Sequence, residues 1–388
     1  MTLRTVALLG STGSIGTQAL DVIGRNPDRF EVTALAAGGS DPAALAAQVA
    51  ATRPGMVAVA DAGAVADVRD AMAAAGVSDI QVVGGPQAVV EVAGYGADVV
   101  LNGITGSVGL RPSLAALEAG SSLALANKES LVAGGALVKA ALKRPDQIVP
   151  VDSEHSALAQ AMRGGARSEV KRLVLTASGG AFRGLSRAEL AGVTVQRALK
   201  HPNWDMGPVV TINSASLVNK ALEVIEAHWL FDMPYSQIDV VIHPQSIVHS
   251  MVEFVDGSTI AQASPPDMRL PIAWGLGWPD RVPEAAPGLD WTTASAWHFE
   301  PVDDEAFPAI ALARSAAAES DLHPAVFNAA NEQCVAAFVA GRLPFLAIVD
   351  TVRAVVEEYV WPGEVSLDAV DAAESWARAR ADALIAAR

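Results

Sequence analysis

Thr5-Val6-Ala7-Leu8-Leu9-Gly10-Ser11-Thr12-Gly13-Ser14-Ile15-Gly16 is the stretch that decides the fold. The run Thr5–Leu9 has the pattern of a strand buried on both faces, which is how strands of parallel sheets read. The glycines behind it let the backbone approach a diphosphate. The helical pattern that follows, Thr17–Gly24, stops near Pro27 and would offer unpaired N–H groups and a positive dipole end. The spacing is GxxGxxG, not the common GxGxxG, so the strand–turn–helix context carries the dinucleotide reading.

Outward from this turn, the strand pattern Phe30–Ala36 ends in Ala37-Gly38-Gly39-Ser40, where NAD enzymes place an acid for the ribose 2′-hydroxyl. Gly38, Gly39 and Ser40 leave room and a hydroxyl instead, which favours NADP. Strand-like runs at Met56–Ala60, Gln81–Val83, Asp98–Leu101 and Ser122–Ala126 alternate with Ala-rich helical segments. That alternation predicts an α/β, Rossmann-like, doubly wound parallel sheet closing near Pro150. At about 150 residues per domain, 388 residues suggest two or three domains. Residues 1–150 read as the cofactor domain and 151–276 as an α+β catalytic domain. Residues 277–304, rich in Pro, Trp and Gly, read as a linker, and 305–388 as a C-terminal α-helical bundle started last at Ser366 and Asp368 and broken at Gly341/Pro344.

Bulk properties exclude several classes. A formal charge of −16 argues against nucleic acid as a partner. No uncharged run reaches the roughly 20 residues that span a bilayer, and Met1–Val6 lacks the features of a signal peptide, so a cytoplasmic protein with no membrane partner is expected. Cys334, the one cysteine, reads as core and rules out an internal disulfide or a multi-thiolate metal site.

Val151-Asp152-Ser153-Glu154-His155 places two carboxylates, a hydroxyl and an imidazole in succession, either as a metal or acid/base site or as a helix cap. Asn127-Lys128-Glu129-Ser130 follows a strand end where open α/β sheets put ligand groups, which makes Lys128 a substrate-side candidate or a solvated turn lysine. Ser178-Gly179-Gly180 suits a phosphate, and equally a plain turn. Lys200–Gly207 (KHPNWDMG) reads as a lid, or as a packed loop anchored by Trp204. Asn219, Lys220 and Glu223 share one helical face amid apolar neighbours, as an ordinary ion pair or as a site whose acid joins Asp152 and Glu154. His243 and His249, in strands leading to a hairpin turn at Asp256-Gly257, read as structural.

GSTGSIG at Gly10–Gly16, ANKES at Ala126–Ser130, VDSEH at Val151–His155 and SGG at Ser178–Gly180 combine with KHPNWDMG, NKALE at Asn219–Glu223 and HPQSIVHSMV at His243–Val252. Together they resemble the 1-deoxy-D-xylulose 5-phosphate reductoisomerase family along the whole chain. The resemblance implies NADPH-linked rearrangement and reduction of 1-deoxy-D-xylulose 5-phosphate to 2-C-methyl-D-erythritol 4-phosphate, for isoprenoid precursors, by a homodimer. It makes Asp152, Glu154 and Glu223 ligands of one divalent cation, and oxygen donors suit Mg²⁺ or Mn²⁺, with Co²⁺ also allowed. By the same resemblance Ser178, Ser214, Asn219 and Lys220 hold the substrate phosphate with His201 closing over it, Ser153 and Lys128 contact the sugar-phosphate backbone, and Trp204 covers the site. Lys128, Glu154 and His201 form the implied catalytic set. Thr12, Gly13, Ser14, Ile15, Gly38, Gly39, Ser40, Asn127, Glu129 and Gly207 border NADPH. Two departures stand out: Gly39 where many relatives have lysine, and Ala181 where proline is common. The competing readings are another NADP-dependent dehydrogenase of a small phosphorylated carbonyl, needing no metal, and a non-catalytic NADP-binding regulator.

Overall fold

The computed structural model describes residues 3–204 and 206–388; Asp205, inside the KHPNWDMG loop motif, lies outside the described residues. Strands and helices alternate through β1 Arg4–Leu9, α1 Ser14–Gly24, β2 Phe30–Ala37, α2 Pro42–Thr52, β3 Met56–Val59, α3 Val65–Ala74, β4 Gln81–Gly84, α4 Pro86–Ala93, β5 Val99–Asn102, α5 Leu110–Glu118, β6 Ser122–Leu125, α6 Glu129–Ala140, β7 Ile148–Pro150 and α7 Ser153–Met162. These strands form one seven-stranded sheet in the order β4-β3-β2-β1-β5-β6-β7, all parallel. The chain winds outward from β1 in one direction and then, from β5, in the other. The switch lies beside β1, where a doubly wound sheet binds its ligand. Val6 to Leu9 are wholly buried, as a continuous apolar run requires.

The second part of the chain runs β8 Val170–Ala177, α8 Arg187–Leu190, α9 Val195–Ala198, α10 Pro208–Ala215, α11 Val218–Phe231, β9 Ile238–Ile242, β10 Val248–Phe254, β11 Thr259–Ala263, α12 Arg269–Gly277, β12 Glu300–Pro301, α13 Ala309–Glu319, α14 His323–Val339, α15 Phe345–Glu358 and α16 Leu367–Ala386. Its five strands form a mixed sheet ordered β11-β10-β8-β9-β12, in which only the β8–β9 pair is parallel. The turn at Asp256-Gly257 joins β10 to β11 as expected: Gly257 takes φ 87°, and Asp256 accepts from the Ser258 backbone N–H at 2.9 Å. Ser366 caps α16 by accepting from Ala369, and Pro344 precedes α15. Cys334 is buried on α14, and burial pushes its thiol up to about 12.

By packing, the chain forms two compact units. One comprises Met1–Ser130, Val138–Ser156 and Asp267–Pro287, and the other Leu131–Leu137, Ala157–Pro266 and Gly288–Arg388. Chain order does not reveal that α12 belongs with the first sheet. Gly275 sits so close to Ala124 and Val151 that a Cβ there would lie 3.0 and 2.7 Å from them, and Arg4 donates to the Leu276 carbonyl at 2.9 Å. The second unit has its own core, from Leu173 and Leu175 of β8 through Ile225 of α11 to Phe327 and Phe338 of α14.

Candidate active site

In the first unit the candidate residues gather at the carboxyl edge of the parallel sheet. Helix α1 starts at Ser14, three residues before the apolar periodicity indicates, because Gly13 is an extended cap whose lack of a side chain leaves the first-turn N–H groups uncovered. Gly13 and Ser14 are exposed and Thr12 and Ile15 half-buried. Gly16 packs under this turn: a Cβ on it would lie 2.4 Å from the Gly10 and Ser11 carbonyl oxygens. A cradle of bare backbone, a positive helix end and no capping side chain fits a dinucleotide diphosphate. Gly38, Gly39 and Ser40 form the next turn along the same edge, after β2.

Asn127 is 1 % exposed, and its amide donates to the carbonyls of Ile104 and Gly106 at 2.7 and 2.8 Å and to Glu129 at 3.0 Å. It therefore holds the loop after β5 in shape. Asn102, Ser113 and Ser130 complete this buried network: Asn102 donates to Ser113 at 2.9 Å, and Ser113 and Ser130 are 3.0 Å apart. Asn102 and Ser113 stand outside the motifs of the sequence, although a polar residue ending an apolar strand (Asn102) was a usable signal.

Lys128 follows β6 and Asp152 follows β7, so the two neighbouring turns bring Lys128 Nζ to 2.7 Å from Asp152 Oδ2. Asp152 also opens α7: its backbone carbonyl accepts from Ser156, and its Oδ1 lies 3.3 Å from the Glu154 N–H and 3.2 Å from His155 Nδ1. The cap and the polar cluster are thus the same residues. Burial pushes the Asp152 carboxyl up, but the Lys128 ammonium and the His155 contact outweigh it and hold it well below the usual carboxylate range. Asp152 is an anion at neutral pH. Ser153 donates to Glu154 Oε2 at 2.7 Å, and His155 is wholly buried behind them.

The second unit assembles its own polar cluster. Ser178, after β8, stands 2.9 Å from His201 Nε2. His201 Nδ1 accepts from the backbone N–H groups of Asn203 and Trp204 at 3.1 and 2.9 Å, so the proton resides on Nε2, which donates to Ser178. Burial lowers the His201 pKa, favouring this neutral form. The loop is further tied by Asn203, which donates to Ser246 at 3.0 Å, and by Trp204, whose ring lies edge-on to His249 at 6.1 Å. Gly180 brings the same turn against α10, where a Cβ would meet the Ser214 carbonyl at 2.6 Å. Gly207 caps α10, and Leu217, with φ 58°, separates α10 from α11.

On α11, Lys220 and Glu223 form an ion pair at 4 and 1 % exposure, and Asn219 donates to Glu223. The ordinary solvated pair is excluded, because such burial is tolerated only with full pairing or a ligand. Glu226, one turn on, is also wholly buried; its spacing of three from Glu223 was the signal for it. His243 is structural, as expected: one nitrogen donates to the His298 carbonyl and the other accepts from Ile247 and Val248. His249 is 5 % exposed, bonded to the Ser264 carbonyl and adjacent to Trp204.

Three family models cover the chain: 1-deoxy-D-xylulose 5-phosphate reductoisomerase over residues 6–135, its C-terminal domain over 148–231, and the DXP reductoisomerase C-terminal domain over 263–380. The chain is 68 % identical to the 1-deoxy-D-xylulose 5-phosphate reductoisomerase of Beutenbergia cavernae, covering 100 % of this chain and 98 % of that one. It is 61 % identical to that of Kitasatospora griseola, over 98 and 100 %. Among solved structures it is similar to the Zymomonas mobilis reductoisomerase in complex with NADPH, with TM-score 0.92, 42 % identity and 99 % coverage of both chains. It is likewise similar to a DOX-P reductoisomerase in complex with NADPH, fosmidomycin and magnesium, with TM-score 0.92 and 36 % identity over 99 and 98 %. Likeness of this extent in both sequence and fold leaves one assignment: the chain belongs to the 1-deoxy-D-xylulose 5-phosphate reductoisomerase family.

Proposed function

We propose that this protein rearranges and reduces 1-deoxy-D-xylulose 5-phosphate to 2-C-methyl-D-erythritol 4-phosphate with NADPH and a divalent cation, supplying isoprenoid biosynthesis. The observation that carries it is the carboxyl edge of the first sheet, where one parallel sheet presents both the bare diphosphate turn after β1 and the Lys128–Asp152 pair after β6 and β7.

The donor set fits a hard cation: Asp152, an anion at neutral pH, Glu154 and Glu223 supply only carboxylate oxygens. A bound Mg²⁺, Mn²⁺ or Co²⁺ supplies Lewis acidity toward adjacent carbonyl and hydroxyl oxygens, and NADPH supplies the hydride. In this reading Lys128 presents its ammonium protons to the sugar oxygens, held in direction by Asp152, while Ser153 positions the chain of the substrate beside Glu154. Lys128 and Glu154 are the groups placed to handle protons. Ser178, Ser214, Asn219 and Lys220 hold the phosphate, and His201, by donating to Ser178, orients that hydroxyl and fixes the Asn203–Trp204 segment as a lid that excludes water. Thr12, Gly13, Ser14, Ile15, Gly38, Gly39, Ser40 and Gly207 border the cofactor; Asn127 and Glu129 shape the loop beside it.

By chain order residues 1–150, 151–276 and 305–388 are read as cofactor, catalytic and C-terminal helical domains joined by 277–304, with α12 and the chain up to Pro287 packing back onto the first unit. A homodimer through the second sheet is supported by β11, an edge strand with Ile260 37 % exposed. No helix among the described residues is long and apolar enough to cross a membrane, and we read the protein as cytoplasmic. The deciding assay is NADPH oxidation with 1-deoxy-D-xylulose 5-phosphate, with Mg²⁺ or Mn²⁺ and again in EDTA. Turnover that EDTA abolishes is expected; full turnover in EDTA would favour a metal-free dehydrogenase and sink this reading.

A further inference from the structure

Helix α14 of the C-terminal bundle is apolar where it is buried deepest: Phe327, Ala329, Ala330 and Cys334 are wholly enclosed. Among them stands Asn331, equally buried, whose amide donates to Asn213 Oδ1 of α10 at 2.9 Å across 118 residues of chain. Its own Oδ1 has no hydrogen-bond partner among the described residues. An unpaired buried carbonyl costs free energy that an apolar side chain of similar shape avoids. Packing of the bundle therefore gives no reason for an asparagine here, and the bond to Asn213 does.

Asn213 immediately precedes Ser214, and successive helical residues point about 100° apart. Asn213 is buried with its oxygen toward α14, while Ser214 is half-buried. A second contact holds α10 at the same level. Gly180, with φ 66°, brings the Ser178 turn so close that a Cβ would lie 2.6 Å from the Ser214 carbonyl oxygen and 2.8 Å from Ala215 Cα. Just beyond, the Ser216 hydroxyl donates to the Ile212 and Asn213 carbonyls, and Leu217 turns the chain into α11, which carries Asn219 and Lys220. In a close-packed interior a shift of α10 at Asn213 passes to the Ser178 turn and to the start of α11.

From this juxtaposition we propose that Asn331 is a positioning residue for the substrate phosphate: by holding Asn213 it fixes the end of α10, and with it the Ser214 hydroxyl relative to Ser178 and Lys220. The inference rests on the phosphate reading above. Its test is steady-state turnover by the full chain with NADPH and Mg²⁺, for Asn331→Leu, Asn213→Ala and the double variant, with inorganic phosphate as competitive inhibitor. KM for 1-deoxy-D-xylulose 5-phosphate and the inhibition constant of inorganic phosphate are expected to rise together, by about five- to tenfold, as the loss of one buried hydrogen bond implies. The turnover number and the NADPH affinity, read by fluorescence titration, are expected to stay within about twofold. Because both residues act through one bond, the double variant is expected to match the single ones instead of multiplying their effects. Where Asn331→Leu does not fold, Asn331→Ser, whose hydroxyl falls short of Asn213, is read for the same quantities. Unchanged KM and inhibition constant, an equal loss of NADPH affinity, or multiplied effects in the double variant overturn the proposal. Ser214→Ala distinguishes the layer beneath: if it too leaves KM and the inhibition constant unchanged, the phosphate reading falls and the proposal with it.

Discussion

The glycine turn of the first unit and, in the second, the Ser178–His201 pair with Lys220 are both proposed as phosphate sites, and they are built by opposite means. The first uses seven consecutive residues, Gly10–Gly16, and works by what is missing: no Cβ at Gly16 and no capping side chain at Gly13. The second uses side chains from β8's end, a loop and helices α10 and α11, and works by what is added: a hydroxyl, a neutral imidazole and a buried ammonium. A backbone site is specified locally and damaged by any added atom. A side-chain site is specified by tertiary packing and is sensitive to charge.

The largest effect should separate the two. Glu223→Gln keeps an oxygen for the Lys220 ammonium but removes the charge of a proposed cation ligand; turnover is expected to fall about a thousandfold, as loss of several kcal/mol of charge stabilisation implies. Fluorescence titration should find NADPH binding within about twofold of the unaltered protein. A parallel loss of NADPH binding would mean that the two regions are not independent.

Gly16→Ala probes the other side. A methyl 2.4 Å from two carbonyl oxygens forces the turn apart, and calorimetric or denaturant unfolding should show a loss of about 3 kcal/mol together with weakened NADPH binding. Unchanged stability would show that the turn opens freely and that steric exclusion does not define it.

The smallest effect is a pH dependence confined to the second unit. Burial, with the nearby Lys220 charge, lowers the His249 pKa to about 4, although its bond to the Ser264 carbonyl works the other way. The folded pKa lies below the unfolded value of about 6.5, so the unfolded chain takes up the proton first as pH falls. His249 therefore leaves stability unaffected above about pH 6.5 and costs the fold progressively below it, about 2 kcal/mol by pH 5 and about 3 kcal/mol by pH 4. Urea midpoints between those values should show this slope, and His249→Gln should flatten it. A slope retained in the variant would assign the dependence elsewhere.

Legibility followed the same division. The parallel sheet was readable because each strand is a continuous apolar run bounded by turns, and the glycine turn because its function needs consecutive residues. Helix α1 starting at Ser14 was not, since a helix's first turn need not carry its apolar periodicity. The return of α12 to the first sheet was hidden, because nothing in residues 267–287 marks which of two apolar surfaces they cover. Lys128 and Asp152 were both singled out by residue type, but their 2.7 Å pairing follows from β6 and β7 being neighbours.

By itself the sequence determined the fold class, the diphosphate turn and the chemical identity of nearly every candidate group, since these depend on local pattern and residue type. Only the tertiary structure decided that Asn127 is committed to shaping a loop, that His201 carries its proton on Nε2, and that Lys220 and Glu223 are buried together. Protonation state and burial are set by neighbours distant in the chain, and a local pattern holds no record of them.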